Sequence, residues 1–242
     1  MAKNEAVIEQ MQSLVENWQS TADRRATFLT CYQMMTSNMQ QAIDGGEFND
    51  PEWVYSLLQQ FAGYYFHALE AYEANQPDTP AIWRQAFDAT RQPDTRTLQN
   101  LLLGMNAHIN YDLIFTLVDM LEPEWAQLSS DERQGRYDDH CHVNAVIHRT
   151  IDAVQDTIIE PDTPLMEVAD RLFGGVDEWI VGRMITQWRD EVWEEARLLM
   201  DSPSPDERQR IRQTIEDQAM QRAAKILLKI QREESHDPIP TD

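Results

Sequence analysis

Cysteine, glycine and basic charge are what this sequence is short of, and each shortage excludes something. Its 2 cysteines, Cys31 and Cys141, cannot build a disulfide framework and belong to no CxxC pair. The 8 glycines form no GxGxxG fingerprint, no Walker-type loop and no GxSxG elbow, which sets aside the common nucleotide-binding and α/β-hydrolase sites. Lys+Arg number 20 against 42 Asp+Glu, a net charge of −22. A surface that acidic repels phosphate backbones and anionic headgroups, so neither nucleic acid nor a membrane is expected as a partner. No run of eighteen uninterrupted apolar residues occurs, and MAKNEAVIEQ lacks the hydrophobic stretch of a signal peptide. The expectation is a soluble, cytoplasmic protein.

What the chain has in quantity are Gln, Glu, Ala, Leu, Met and Arg, the residues that lose least on entering a helix. Hydrophobic residues make up 42%, with 7 Trp, 7 Tyr and 7 Phe, too rich for a disordered chain. Apolar positions recur at spacings of three and four almost throughout, which predicts an all-α fold. The expected architecture is a single-domain bundle of about seven to nine helices around a buried central one, over residues 1–235, with a flexible tail at 236–242. Spans follow from start and stop signals: Asn4 to Gln19; Asp23 to Asp44, closed by Gly45-Gly46; Pro51 to Glu73, opened by Asn49-Asp50; and a short helix after Thr79-Pro80. Thr95 to Leu121 is apolar nearly all round, as a helix surrounded by others must be. Ser130 to Ile159, Pro164 to Phe173 and Asp177 to Met200 follow, then a polar last helix after Ser202–Glu207, expected to pack loosely or to mediate assembly. Met34, Met35 and Met39 read as adaptable core packing.

One feature conflicts with burial. Asn106, His108, Asn110 and Asp112 interrupt the most apolar helix, although Asn and Asp are poor helix-interior residues and a buried carboxylate must be paired. At roughly 100° per residue, i,i+4 partners lie about 40° apart, so His108 with Asp112 and Asn106 with Asn110 share two different faces. HxxxD can offer imidazole and carboxylate to one divalent metal, such as Zn, Fe, Mn or Mg. It can equally form a hydrogen-bonded acid–base pair, or a purely structural tie. A second concentration, Asp138, Asp139, His140, His142, Asn144, His148 and Asp152, occupies the next helix, where a solvent-facing amphipathic stretch is the plain alternative for His140 and His142. Arg189 faces either Asp112 or Asp139 as a buried partner, or belongs to a surface ladder with nearby glutamates. His67 reads as a packed histidine. Diiron chemistry needs paired Glu-x-x-His motifs on facing helices, and none are found there.

The stretch Leu101-Leu102-Leu103-Gly104-Met105-Asn106-Ala107-His108-Ile109-Asn110-Tyr111-Asp112-Leu113 resembles the hallmark of a bacterial and fungal all-helical family known only as a domain of unknown function. Agreement extends to Phe61, Ala62, Tyr65, Ala68 and Leu69, to Trp83 with Phe87, to Asp139 with Val143-Asn144, and to Arg189 with Trp193 and Ala196. It departs at His67, where the family pattern has an aspartate. The resemblance covers about Phe61 to Ala196 and implies a pocket gathering Asn106, His108, Asn110, Asp112, Asp139, Asn144 and Arg189.

Two classes of function remain open at this point. In the first, the protein is a small-molecule enzyme. His108, Asp112 and Asp139 are then catalytic residues or metal ligands, and Asn106, Asn110, Asn144, Arg189 and Tyr65 hold the substrate. Metal-dependent hydrolysis is the default chemistry, and a lyase or cyclase acting on a hydrophobic substrate the alternative. In the second, a non-enzymatic helical binding or scaffold protein, the same polar groups form a buried network that fixes helix register. A homo-oligomer is compatible with either.

Overall fold

In a computed structural model the described residues are 2–156, 178–202 and 204–232. The expected helix over 164–173, the end of its predecessor at 159, and the tail lie outside them. The described residues contain no strand. They form helices α1 (Ala2–Ser20), α2 (Ala26–Asp44), α3 (Pro51–Glu73), α4 (Ala81–Thr90) and α5 (Thr97–Ala107). A π-helical turn (His108–Asp112) then leads into α6 (Leu113–Trp125), α7 (Ser130–Asp156), α8 (Glu178–Met200) and α9 (Pro205–Arg232). The all-α expectation holds.

Local chemistry explains the boundaries. Gly46 adopts φ 73°, the left-handed conformation that lets the chain leave α2 without a Cβ clash. The Asp50 carboxylate accepts the Trp53 N–H at 3.0 Å, with Pro51 occupying the first turn where a missing N–H costs nothing. At the start of α9 the Ser204 hydroxyl accepts the Glu207 N–H at 3.2 Å. Pro123 sits in the last turn of α6, so that helix runs past Leu121 to Trp125.

Two apolar clusters fill the bundle. One joins α6, α7 and α8 to the C-terminal half of α2 and the N-terminal half of α3, with Leu113, Leu117, Leu121, Trp193 and Leu199 inside it. The other joins α1, α4, α5 and α9 to the opposite halves of α2 and α3, around Trp18, Tyr65, Trp83, Phe87 and Leu103. The chain from Thr97 to Trp125 runs through both, and the π turn lies where it passes from one to the other. That 29-residue segment is apolar and long enough by composition to cross a membrane, but 78% of its most apolar window is buried inside the protein. The expectation that the last helix packs loosely is corrected. Ile215, Ala219 and Ala223 on α9 are fully buried, and small side chains let the helix approach α5 and α4 closely.

Gly104 shows how tightly α2 and α5 meet. A Cβ placed there would stand 2.5 Å from Cγ of Phe28, closer than any real contact. Phe28 is in turn wedged by Tyr32, Tyr65 and Trp83, with ring centroids 5.6–5.8 Å away. This close approach sets the wall on which the candidate site is built.

Candidate functional site

The π turn positions the central pair. The Leu113 N–H reaches back five residues to the His108 carbonyl, and the Thr116 hydroxyl donates to the Asp112 carbonyl at 2.8 Å. Such one-turn bulges widen a helix locally and recur at functional sites. Here the turn leaves His108 Nδ1 and Asp112 Oδ2 at 3.0 Å. Trp83 Nε1, from α4, donates to the same carboxylate oxygen at 2.9 Å. The imidazole lies flat on Phe61, centroids 3.6 Å apart and planes 8° from parallel, with the edge of Tyr32 at 4.3 Å. His108 is 3% exposed and Asp112 1%.

Burial decides the protonation state. It pushes the His108 imidazole well below its ordinary value and lifts the Asp112 carboxyl well above its own, against the lowering effect of the Trp83 N–H. Burial thus opposes a charge on either partner and favours the neutral pair, a protonated carboxyl beside a neutral imidazole. In that neutral pair Asp112 donates to Nδ1 and the imidazole proton sits on Nε2. That Nε2 is buried and meets no hydrogen-bond partner.

His108 borders a chamber of about 180 Å³ lined by α2, α3, α5, α6, α7 and α8. Its walls are Met35, Met39, Leu57, Phe61, Leu113 and Ile147, among others, almost wholly apolar. Met34, Met35 and Met39 line this chamber, Met39 as a member of the apolar core and Met35 packed against it. The Tyr32 hydroxyl, on a residue that also lines the chamber and with the Thr36 hydroxyl as its neighbour, is likewise buried without a partner of good geometry. Burial keeps it protonated. Two lining threonines are already satisfied: Thr36 donates to the Tyr32 carbonyl at 2.8 Å and Thr150 to the Val146 carbonyl at 2.8 Å. The Cys31 thiol is pushed up to about 12 by burial and stays unreactive as a nucleophile.

The remaining sequence-selected residues separate into other groups. Arg189 also reaches the chamber, but it pairs with neither Asp112 nor Asp139. Its Nε donates to Asn144 Oδ1 at 2.8 Å, and its Nη2 to the His140 carbonyl at 2.8 Å and to His140 Nδ1 at 3.3 Å. His140 Nε2 returns a proton to the Arg189 carbonyl at 3.0 Å, which fixes that tautomer. So His140 is buried, not solvent-facing, and burial lowers Arg189 to about 10. Asp139 is spent elsewhere, accepting the backbone N–H groups of Asn49 at 2.7 Å and Asp50 at 2.9 Å, which pins the loop between α2 and α3. Asn106 donates to the Ala219 carbonyl at 2.9 Å and accepts from Asn110 at 3.0 Å, tying α5 to α9. Tyr65 stands behind the chamber in the aromatic layer with Phe28, Trp83 and Phe87. His67 is exposed, and His142 meets Glu47 at 3.1 Å near the surface.

His108 and Asp112 turn their donor atoms on each other, Asp139 is bound to main chain, and no group of three potential ligands gathers among the described residues. Sequence reasoning missed Tyr32 as a member of the site, because an aromatic inside an apolar helix carries no signal of its own. Phe61 and Trp83 did carry one, through the resemblance. Neither the curated proteins nor the solved structures include a match to this chain. The profile of a family of unknown function, DUF5995, matches residues 4–229, well beyond the Phe61–Ala196 stretch in which the motif is legible. Through that match over nearly its whole length, the chain belongs to the DUF5995 family.

Proposed function

We propose that the protein is a small-molecule enzyme that binds a compact, mostly apolar substrate bearing one hydrogen-bond-accepting oxygen, and that His108 acts on that oxygen as a general acid. The single observation behind this reading is the unpartnered His108 Nε2, buried at the edge of an apolar chamber. A buried donor without a partner costs about 1–3 kcal/mol, so it persists where a ligand supplies the missing acceptor. Tyr32 offers a second donor beside it. A carbonyl oxygen seated between the two satisfies both, and their hydrogen bonds strengthen as negative charge develops on it. At about 180 Å³ the chamber exceeds the ~150 Å³ engineered cavity that takes benzene, so a single ring is the fitting size.

The apolar walls favour chemistry on a hydrophobic substrate, of the lyase or cyclase kind, over hydrolysis, which needs a positioned water. The scaffold reading is supported for part of the cluster, since Asn106 and Asn110 are occupied in joining α5 to α9. The test compares cyclohexanone with its hydrocarbon isostere methylenecyclohexane by calorimetry, on wild type and His108→Phe. Wild type should prefer the ketone by about tenfold, one buried hydrogen bond's worth, and the variant should lose that preference. Equal affinities in wild type, or no binding of either compound, refute the reading.

A further inference from the structure

On the other side of the π turn lies a second concavity. It is an open, polar cleft of about 880 Å³ along α3, lined by Gln60, Tyr64, His67, Asp78 and Asp119, with Asp112 at its edge. Tyr64 donates to Asp119 at 2.7 Å and Gln60 to the same carboxylate at 3.3 Å, so the cleft keeps an ordered hydrogen-bonding wall. His108 lines the inner chamber and not this cleft; Asp112 lines this cleft and not the chamber. The only link between the two spaces made by this pair is the 3.0 Å Nδ1–Oδ2 hydrogen bond. We propose that the His108–Asp112 pair is a proton relay that connects the apolar chamber to solvent in the outer cleft.

The atoms balance simply. His108 Nε2–H gives its proton to the ligand oxygen, Nδ1 takes the Asp112 proton, and Asp112 is left as a carboxylate steadied by Trp83 Nε1. Water in the cleft then returns a proton to Asp112. Reversal of the same steps removes a proton from the chamber. The proton reaches Nδ1 through Asp112, so the relay itself requires no water in the chamber. Asp112 is in this scheme a positioning residue that acts through His108. The titratable groups facing it from the cleft are Tyr55, Tyr64, His67, Asp78 and Asp119.

This rests on the reading that the chamber ligand exchanges a proton with His108, so it is tested with cyclohexanone in the chamber, its binding established separately by calorimetry. Solvent exchange of the His108 imidazole N–H is measured by NMR in histidine-labelled protein, with the backbone amides of Ala107 and Leu113 as internal references. The wild-type imidazole proton should exchange at least tenfold faster, relative to those amides, than in Asp112→Asn. A second variant, Gly63→Leu, extends a side chain along the cleft from a position where a Cβ meets nothing within 4 Å. It should slow the exchange while leaving Asp112 intact. Unchanged exchange in Asp112→Asn overturns the relay, and slowing in Asp112→Asn alone overturns the cleft as its route. Neither result bears on whether ketones bind the chamber, so the two proposals fail separately.

Discussion

Asp112→Asn should invert what the chamber prefers to bind. In the wild type both bonds at the carboxyl converge on one oxygen, Trp83 Nε1 at 2.9 Å and His108 Nδ1 at 3.0 Å. An asparagine must put its carbonyl oxygen there, because its amide nitrogen would face the Trp83 N–H donor to donor. The carbonyl cannot donate to Nδ1, so the imidazole proton moves to Nδ1 and Nε2 becomes a bare acceptor. Hydrogen-bond counting then gives the affinities. In wild type a ketone accepts from both Nε2–H and the Tyr32 hydroxyl, whereas an alcohol adds a third hydrogen and leaves one unpaired. In the variant an alcohol donates to Nε2 and accepts from Tyr32, whereas a ketone leaves Nε2 facing its own lone pairs. Each mismatch costs about 1–3 kcal/mol, so cyclohexanone over cyclohexanol by about tenfold should become the reverse. Calorimetric titration of both compounds into both proteins reads this directly. Retention of ketone preference in Asp112→Asn refutes the protonation assignment on which the acid role stands.

Asn106→Ala should remove the tie to the Ala219 carbonyl and strand the Asn110 amide, costing about 2 kcal/mol and lowering Tm by about 4–8 °C while ketone affinity stays unchanged. A coupled loss of ligand binding, by calorimetry, would return these asparagines to the site. Gly104→Ala sets a Cβ against the Phe28 ring, and overpacking exceeds the helix-propensity gain, for a net loss of about 1–2 kcal/mol in urea unfolding. Stabilisation instead would mean that Phe28 can swing away. The raised Asp112 carboxyl also sets a pH signature. Above 3.8 the unfolded chain releases this proton while the folded chain keeps it, so Asp112 makes the protein less stable as pH rises toward its folded value. Asp112→Asn lacks that loss, so its stability relative to wild type should rise with pH above 3.8, by up to about 1.4 kcal/mol per pH unit, in denaturant titrations. A pH-independent difference would place an ionised carboxylate in the native protein.

The helical class, most helix boundaries and the address of the buried polar cluster were legible in the residues themselves. Capping at Asp50 and Ser204, the stop at Gly45-Gly46 and the three–four apolar spacing are local, and local chemistry is what a sequence states outright. The polar interruption at Asn106 to Asp112 also announced itself, because buried polar groups demand partners. Who those partners are depended on tertiary packing. Asp139 reads like a ligand, yet the loop before α3 folds back and claims both its oxygens. Arg189 reads like a carboxylate partner, yet α8 brings it to Asn144 and His140. Helical periodicity at 100° per residue could not foresee the π turn, whose extra residue re-aims every side chain after it. The chamber belongs wholly to the fold as well. Methionines at 34, 35 and 39 are the same letters whether or not a chamber opens beside them, and only the spacing of α2 from α3, α7 and α8 decides that.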